Sequence, residues 1–179
     1  MTTRLLRLAR VDQEELKPRF QSTDVAELAT RSVRRHSKLW PDRTISFQHQ
    51  IDVSEARIDP ELVGLAISQL VENACRYSQA NGNVLINLAA RDGLVAITVW
   101  NDGPLIADGE RDRIFERFYR GTEARRTAPG SGLGLYVARK IALAHGGNLA
   151  LVDGNAGAVG FRLTVPCSAA EASNVEQQL

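Results

Sequence analysis

Two pairs of short apolar segments constrain the fold of this chain more than any other feature. Residues 84–90 and 95–100 are joined by Arg91-Asp92-Gly93, and residues 149–152 and 161–165 flank a second turn that contains two glycines. Strands joined by such turns pair in the antiparallel direction. Because helical patterns occupy residues 59–78 and 133–145, the sequence predicts a mixed or antiparallel sheet with helices on one face.

The remaining segments extend this arrangement towards the N-terminus. Residues 4–16 have a leucine stripe typical of a short helix, and residues 17–21 are expected to form a short strand. Asp24 is predicted to cap a further helix that ends before Pro41. Residues 44–52 alternate between apolar and polar side chains, which predicts another strand.

Length and charge exclude several classes of protein. The chain has 179 residues, which suits one ordinary domain. Its net charge of +1 gives no reason to expect nucleic acid as a partner. Cys75 and Cys167 are far apart and lack metal-binding spacing, which favours a reduced cytosolic chain. No apolar run approaches the roughly 20 residues of a membrane helix.

The helix over residues 59–78 carries polar side chains at an unusual place. Gln69, Asn73 and Arg76 follow a helical spacing and share one face, with Tyr77 beside them. Taken alone, this helix is better explained as an amphipathic helix with a solvated face. Asn is a poor helix former, however, and its amide oxygen is a suitable ligand for Mg²⁺. Arg76 could contact a phosphate, and Tyr77 could stack on a nucleotide base.

Three later segments also have alternative explanations. Asn101 and Gly103 follow a strand and could form either a surface turn or a ligand contact. The segment 113–120 combines aromatic residues, which could pack on the core, with Arg117 and Arg120, which could face phosphates. Glycines at the start of the helix over residues 133–145 leave backbone N–H groups available to an anion, but they match neither the Rossmann nor the Walker pattern.

In this order and spacing, the four segments resemble the N, G1, F and G2 boxes of the ATP-binding catalytic domain of two-component sensor histidine kinases. The wider superfamily includes gyrase, Hsp90 and MutL. The resemblance extends over residues 20–166 and implies the Bergerat fold. This is an α/β (α+β) two-layer sandwich of a mixed, mostly antiparallel sheet and helices on one face. A mobile ATP lid would occupy residues 104–131.

The resemblance also implies a role for each matching residue. Asn73 corresponds to the Mg²⁺ ligand, and Asn73 with Arg120 would be the catalytic residues. Tyr77 corresponds to the residue that packs on adenine, and Arg76 to a basic residue near the phosphates. The full set of expected nucleotide contacts is Gln69, Asn73, Arg76, Tyr77, Asn101, Gly103, Ile106, Phe115, Arg117, Arg120, Gly130, Gly132, Leu133, Gly134 and Leu135.

The chain departs from the family pattern at three positions. Asn101 stands where the family usually has the Asp that accepts a hydrogen bond from the adenine amino group, so weaker or less selective binding is expected. Asp102 is adjacent, but the strand register favours Asn101. Leu105 replaces the last glycine of the G1 box. Gln69 stands where gyrase and Hsp90 have a Glu that activates water, and a neutral amide cannot act as a general base.

The implied function is presentation of the γ-phosphate of Mg-ATP to a histidine on a helical hairpin, for relay to a response-regulator Asp. His36, His49 and His145 lack the sequence context of that acceptor. Residues 1–16 would be the end of the dimerisation hairpin, 17–166 the catalytic domain, and 167–179 a disordered tail. The whole protein would be a homodimer anchored in the bacterial inner membrane, with this domain cytoplasmic and monomeric. The alternatives are a regulatory nucleotide-binding module without phosphotransfer and an anti-sigma-type serine kinase.

Overall fold

The computed structural model describes residues 16–49, 55–122, 125, 130–154 and 157–167. The elements predicted within residues 1–15 and 168–179 therefore lie outside the described residues. None of the helices described is long and apolar enough to cross a membrane. The main elements are β1 (Gln21–Asp24), α1 (Val25–Leu39), β2 (Thr44–His49), β3 (Glu55–Ile58), α2 (Pro60–Tyr77), β4 (Asn83–Arg91), β5 (Leu94–Asn101), α3 (Gly134–Ala144), β6 (Asn148–Asp153) and β7 (Val159–Pro166).

The central sheet has five strands in the order β2-β4-β5-β7-β6. Strands β2 and β4 are parallel, and the other three neighbouring pairs are antiparallel, so the predicted mixed, mostly antiparallel sheet is confirmed. A separate antiparallel pair joins β1 to β3. The strand predicted over residues 17–21 is wrong in its bounds, because β1 covers Gln21–Asp24, and β3 was not predicted.

One face of the sheet supplies most of the core. Ile86, Val99 and Phe161 lie opposite one another across β4, β5 and β7, and all three are buried. Leu85 and Trp100, on the alternate positions, are only partly buried. Helices α2 and α3 contact each other and the sheet. The expected sandwich with helices on one face is therefore confirmed.

Aspartates start the first two helices, as the sequence predicts. The Asp24 carboxylate accepts hydrogen bonds from the first turn of α1, and the Asp59 carboxylate does so for α2, with Pro60 at the first helical position. His145 fixes the start of α2 from the end of α3. Its Nε2 accepts the Asp59 N–H at 3.0 Å, and its Nδ1 donates to the carbonyl of Ile141 at 2.7 Å. His145 is therefore a buried structural residue.

Candidate functional site

The C-terminal half of α2 carries the first group of predicted site residues. Gln69 is 5% exposed, and Asn73, Arg76 and Tyr77 are half-buried. The opposite side of the helix packs into the core through residues such as Ile67. A helix that buries one side so completely holds its polar side chains in fixed positions, as a binding site requires.

Arg76 points towards the glycine-rich segment that precedes α3. Its Nη2 forms an ion pair with Glu72 at 2.5 Å, one helical turn earlier. Its Nη1 lies 3.0 Å from the place where a Cβ on Gly130 would be, so glycine leaves room for the guanidinium. Glu72 was not among the predicted site residues, although its spacing of four from Arg76 is a signal for this pair.

Gln69 contacts the same glycine-rich segment at Gly134, the first residue of α3. The Oε1 of Gln69 lies 3.1 Å from the position of a Cβ on Gly134. The Nε2 of Gln69 is buried and has no hydrogen-bond partner among the described residues. A buried donor without an acceptor costs about 1–3 kcal/mol, so this amide is suited to an acceptor supplied by a ligand.

The end of β5 supplies the second part of the site. Asn101 is its last residue and is 5% exposed. Gly103 is packed so closely against α2 that a Cβ there would overlap the carbonyl oxygen of Tyr77 and lie 2.5 Å from Nδ2 of Asn101. The end of β5 and the end of α2 therefore meet directly, and glycine is required at the contact.

Asp102 has a different position from Asn101, although the two residues are neighbours. Its carboxylate accepts the backbone N–H groups of Gln79 and Asn83, both at 3.1 Å. The Asp102 side chain therefore binds the turn that joins α2 to β4. Asn101, in contrast, is buried at the strand end beside Gly103. Asp102 is a second residue that was missing from the predicted site.

The segment 113–120 joins the site through its backbone. The N–H of Phe118 donates to the carbonyl of Gly132 at 3.1 Å. Gly132 has φ of 71°, and a Cβ there would lie 2.6 Å from the carbonyl carbon of Phe118 and 2.7 Å from the oxygen of Tyr119. The positive φ and the close approach both require glycine. All four predicted segments are thus in contact around the end of α2.

Three of the predicted site residues also contribute to the hydrophobic core. Phe115 is 9% exposed, lies edge-on to Phe161 with ring centres 6.2 Å apart, and has the Arg139 guanidinium 5.1 Å from its ring centre. Leu133 is buried, and Leu135 packs partly buried against the core.

The side chains at the end of the segment 113–120 are more exposed. Phe118 is 57% exposed, so core packing does not explain this aromatic residue of the segment 113–120. The exposed Arg117 places its guanidinium over the Phe118 ring at 4.7 Å. Arg120 and Ile106 are half-buried.

The predicted lid contains defined local structure in its described part. Short 3-10 turns cover Asp108–Glu110 and Arg113–Phe115. One carboxylate oxygen of Glu110 accepts the N–H of Thr122 at 2.8 Å and its hydroxyl at 3.0 Å. These hydrogen bonds hold the pKa of Glu110 below its ordinary value. The two ends of this loop segment are thereby tied together.

The residues at the site fit a nucleotide with a magnesium ion. The buried Gln69 amide without a partner and the Arg76 guanidinium beside Gly130 offer a donor and a positive charge to an anionic, acceptor-rich group. Among the described residues, no three His, Cys, Asp or Glu side chains gather as a metal site. Magnesium bound to phosphates needs only one or two protein ligands, and Asn73 offers an amide oxygen.

Comparison with known proteins identifies relatives of this arrangement. Residues 58–169 match the family model described as histidine kinase-, DNA gyrase B- and HSP90-like ATPase. The signal transduction histidine-protein kinase/phosphatase MprB of Mycobacterium sp. (strain KMS) is 34% identical over 154 residues, which cover 82% of this chain and 29% of MprB. The sensor histidine kinase CusS of Escherichia coli (strain K12) is 31% identical over 167 residues, which cover 93% of this chain and 35% of CusS. The chain thus spans about a third of the length of these relatives.

Solved structures agree with the sequence comparison. A structure of the mycobacterial sensor histidine kinase MprB has a TM-score of 0.73 at 27% identity, covering 83% of this chain and 98% of that one. The catalytic domain of the histidine kinase ThkA has a TM-score of 0.74 at 24% identity, covering 83% and 96% of the two chains, and supports the fold alone. The chain therefore belongs to the histidine kinase-, DNA gyrase B- and HSP90-like ATPase family, as a catalytic ATP-binding domain of the sensor histidine kinase type.

Proposed function

We propose that this domain binds Mg-ATP at the end of α2 and presents the γ-phosphate to a histidine on a separate helical hairpin, for relay to a response-regulator Asp. One observation carries the proposal. The glycine-rich segment before α3 lies directly against Arg76 and Gln69, although more than 50 residues separate them in sequence. Backbone N–H groups, a guanidinium and a helix N-terminus brought together in this way form a phosphate site.

The phosphate end of the site has a distinct task for each side chain. Asn73 would hold the magnesium ion through its amide oxygen, and Arg76, positioned by Glu72, would bind phosphate oxygens. Gln69 would donate its buried N–H to an oxygen of the bound group. Arg120 would stabilise the charge on the transferred phosphoryl group. Magnesium supplies the charge neutralisation that phosphoryl transfer requires.

The base end would be formed where β5 meets α2. Tyr77 would pack on the adenine ring, and Asn101 would accept a hydrogen bond from the adenine amino group. Gly103 allows the close approach that brings these two residues together. Ile106 would contribute an apolar contact. An amide accepts this hydrogen bond without the charge of a carboxylate, so it binds less strongly.

Transfer to a separate acceptor is favoured over hydrolysis by the groups present. By the resemblance, Gln69 stands where gyrase and Hsp90 have a Glu that activates water, and its amide cannot act as a general base. His36 and His145 are 1% and 4% exposed and form internal hydrogen bonds, so neither is available as the acceptor. His49 is exposed and stacks on Phe47, on β2. The burial of His36 and His145, and the lack of acceptor sequence context around His49, support an acceptor outside this domain.

The whole protein would be a longer sensor kinase that is anchored in the inner membrane and acts as a homodimer. The lengths of MprB and CusS support a longer whole protein, because the chain matches only 29% and 35% of them. ThkA has been solved in complex with the response regulator TrrA, which supports a partner of that class. The domain itself would be cytoplasmic and monomeric.

A reconstituted transfer reaction tests the proposal. The domain is mixed with γ-labelled ATP, Mg²⁺ and a separately produced acceptor hairpin, and acid-labile label is expected on the hairpin. His49→Ala is the matched histidine control and should transfer label normally, whereas Asn73→Ala should lose Mg-dependent ATP binding and keep its fold. Nucleotide binding without transfer would support a regulatory module. Acid-stable label on a protein serine would support an anti-sigma-type kinase.

A further inference from the structure

The side chain of Asp102 connects the end of β5 to the turn that follows α2, and these two elements form the base end. Its Oδ1 accepts the N–H of Gln79 and its Oδ2 accepts the N–H of Asn83, each at 3.1 Å. Gln79 lies in the turn between α2 and β4, and Asn83 is the first residue of β4. The Asp102 carboxylate therefore holds the turn after Tyr77 against the end of β5. Hydrogen bonds to an ionised acceptor are the stronger kind.

The turn is built closely around this carboxylate. The N–H of Gly82 donates to the carbonyl of Gln79 at 2.8 Å, which closes the turn, and Asn81 has φ of 59°. A Cβ on Gly82 would lie 2.6 and 2.7 Å from the two oxygens of Asp102, so the carboxylate fills the space that glycine leaves. The side chain of Gln79 also donates to the backbone oxygen of Asp102 at 3.3 Å.

The same contacts determine how the neighbouring residues sit. Gly103 follows Asp102 and packs against the carbonyl oxygen of Tyr77, and Asn101 precedes it at the buried end of β5. We propose that Asp102 is a positioning residue that sets the base selectivity of this site, because it holds Asn101 and Gly103 against the end of α2. This inference rests on the proposed function, in which the base lies between Tyr77 and Asn101.

Base selectivity depends on this positioning for a chemical reason. Adenine presents an amino group, a donor, where guanine presents a carbonyl oxygen, an acceptor. The Asn101 amide has both an acceptor and a donor end, so it discriminates between the bases only if its orientation is held. A site must keep such groups within about 0.5 Å of their working position. Without the Asp102 contacts, the end of β5 is less constrained. The Asn101 amide can then turn to accept a hydrogen bond from adenine or to donate one to guanine.

Calorimetric titration with ADP and GDP in the presence of Mg²⁺ tests this inference on the whole chain. Asp102→Asn removes the charge, leaves one acceptor oxygen, and turns an amide donor towards a backbone N–H. We expect the ratio of the Kd for GDP to the Kd for ADP to fall about fivefold in Asp102→Asn. Asp92→Asn makes the same change on the exposed turn at the other end of β5, and should keep the wild-type ratio.

A third variant separates the base end from the phosphate end. Arg76→Ala should weaken both nucleotides by the same factor and leave the ratio unchanged. A folded Asp102→Asn protein with the wild-type ratio would overturn the inference and leave the proposed function intact. A wild-type chain that binds neither nucleotide would overturn both.

Amide hydrogen exchange covers the case in which Asp102→Asn does not fold. In the wild-type chain without nucleotide, the amides of Gln79 and Asn83 should exchange slowly although they lie at a surface turn. Fast exchange at these two amides would overturn the inference, because the carboxylate would then not hold the turn.

Discussion

Replacement of Gly103 by alanine tests the contact on which the base end depends. The added Cβ would lie 2.5 Å from Nδ2 of Asn101 and would overlap the carbonyl oxygen of Tyr77. Non-bonded heavy atoms normally stay about 3.5 Å apart or more, so the neighbours must move by about 1 Å. The carbonyl belongs to the last residue of α2 and cannot rotate away as a flexible side chain would.

The size of the effect follows from this overlap. Overpacking of a buried contact costs about 1–3 kcal/mol, and in a domain of this size each kcal/mol lowers Tm by about 2–4 °C. We therefore expect Gly103→Ala to lower Tm by about 4–8 °C, which corresponds to about 2 kcal/mol. Because the end of β5 is pushed from α2, the Kd for Mg-ADP should rise by about tenfold.

Thermal unfolding followed by circular dichroism, with and without Mg-ADP, measures both quantities. Gly109→Ala is the matched control, because a Cβ at this position in the described part of the lid has no atom within 4 Å. The control should melt within about 1 °C of the wild type, as exposed substitutions usually do. If Gly103→Ala melts together with Gly109→Ala and gains the same stabilisation from Mg-ADP, the proposed contact between β5 and α2 is refuted.

Four further changes test individual groups. Asn101→Asp should tighten Mg-ADP binding by about fivefold, or about 1 kcal/mol, because a charged acceptor faces the adenine amino group; calorimetry showing equal or weaker binding would contradict this. Gln69→Met removes a buried donor without a partner, so the nucleotide-free domain should become no less stable in urea while ATP affinity falls. The Glu110 contact to Thr122, whose hydrogen bonds lower the Glu110 pKa, should persist above the ordinary Glu pKa and be lost as the pH falls through the lowered value; the Thr122 amide shift in NMR reports this. Burial raises the pKa of Cys75 to about 11, so Cys167 should react with a thiol reagent at pH 8, whereas Cys75 should react only after urea is added.

The sheet could be predicted because its evidence is local. In β4 and β5, apolar residues at alternate positions such as Val84, Ile86, Val95 and Ile97 are buried, and this alternation is visible within a few positions of the sequence. The short turn at Asp92-Gly93 then determines that the two strands pair with each other. Neither step requires information from another part of the chain.

Strand β3 could not be predicted for the opposite reason. Its four residues Glu55–Ile58 alternate between exposed and buried, but the run is too short to be distinguished from a loop. The strand exists because β1 pairs with it from more than 30 residues away. The strand predicted over residues 17–21 was misplaced for the same reason, since only this pairing determines that β1 begins at Gln21.

The candidate site shows the same division between local and distant evidence. Helical spacing was sufficient to bring Gln69, Asn73 and Arg76 to one face, because a helix repeats within a few residues. Asp102 was passed over, since its partners are backbone N–H groups about 20 residues earlier, and any residue has such a group. A side chain that binds a backbone N–H group does not require any particular residue type as its partner, so the contact cannot be recognised from the sequence. The side chains that would carry out the chemistry of this site can therefore be recognised in the sequence. The contacts that position them can be recognised only in the folded chain.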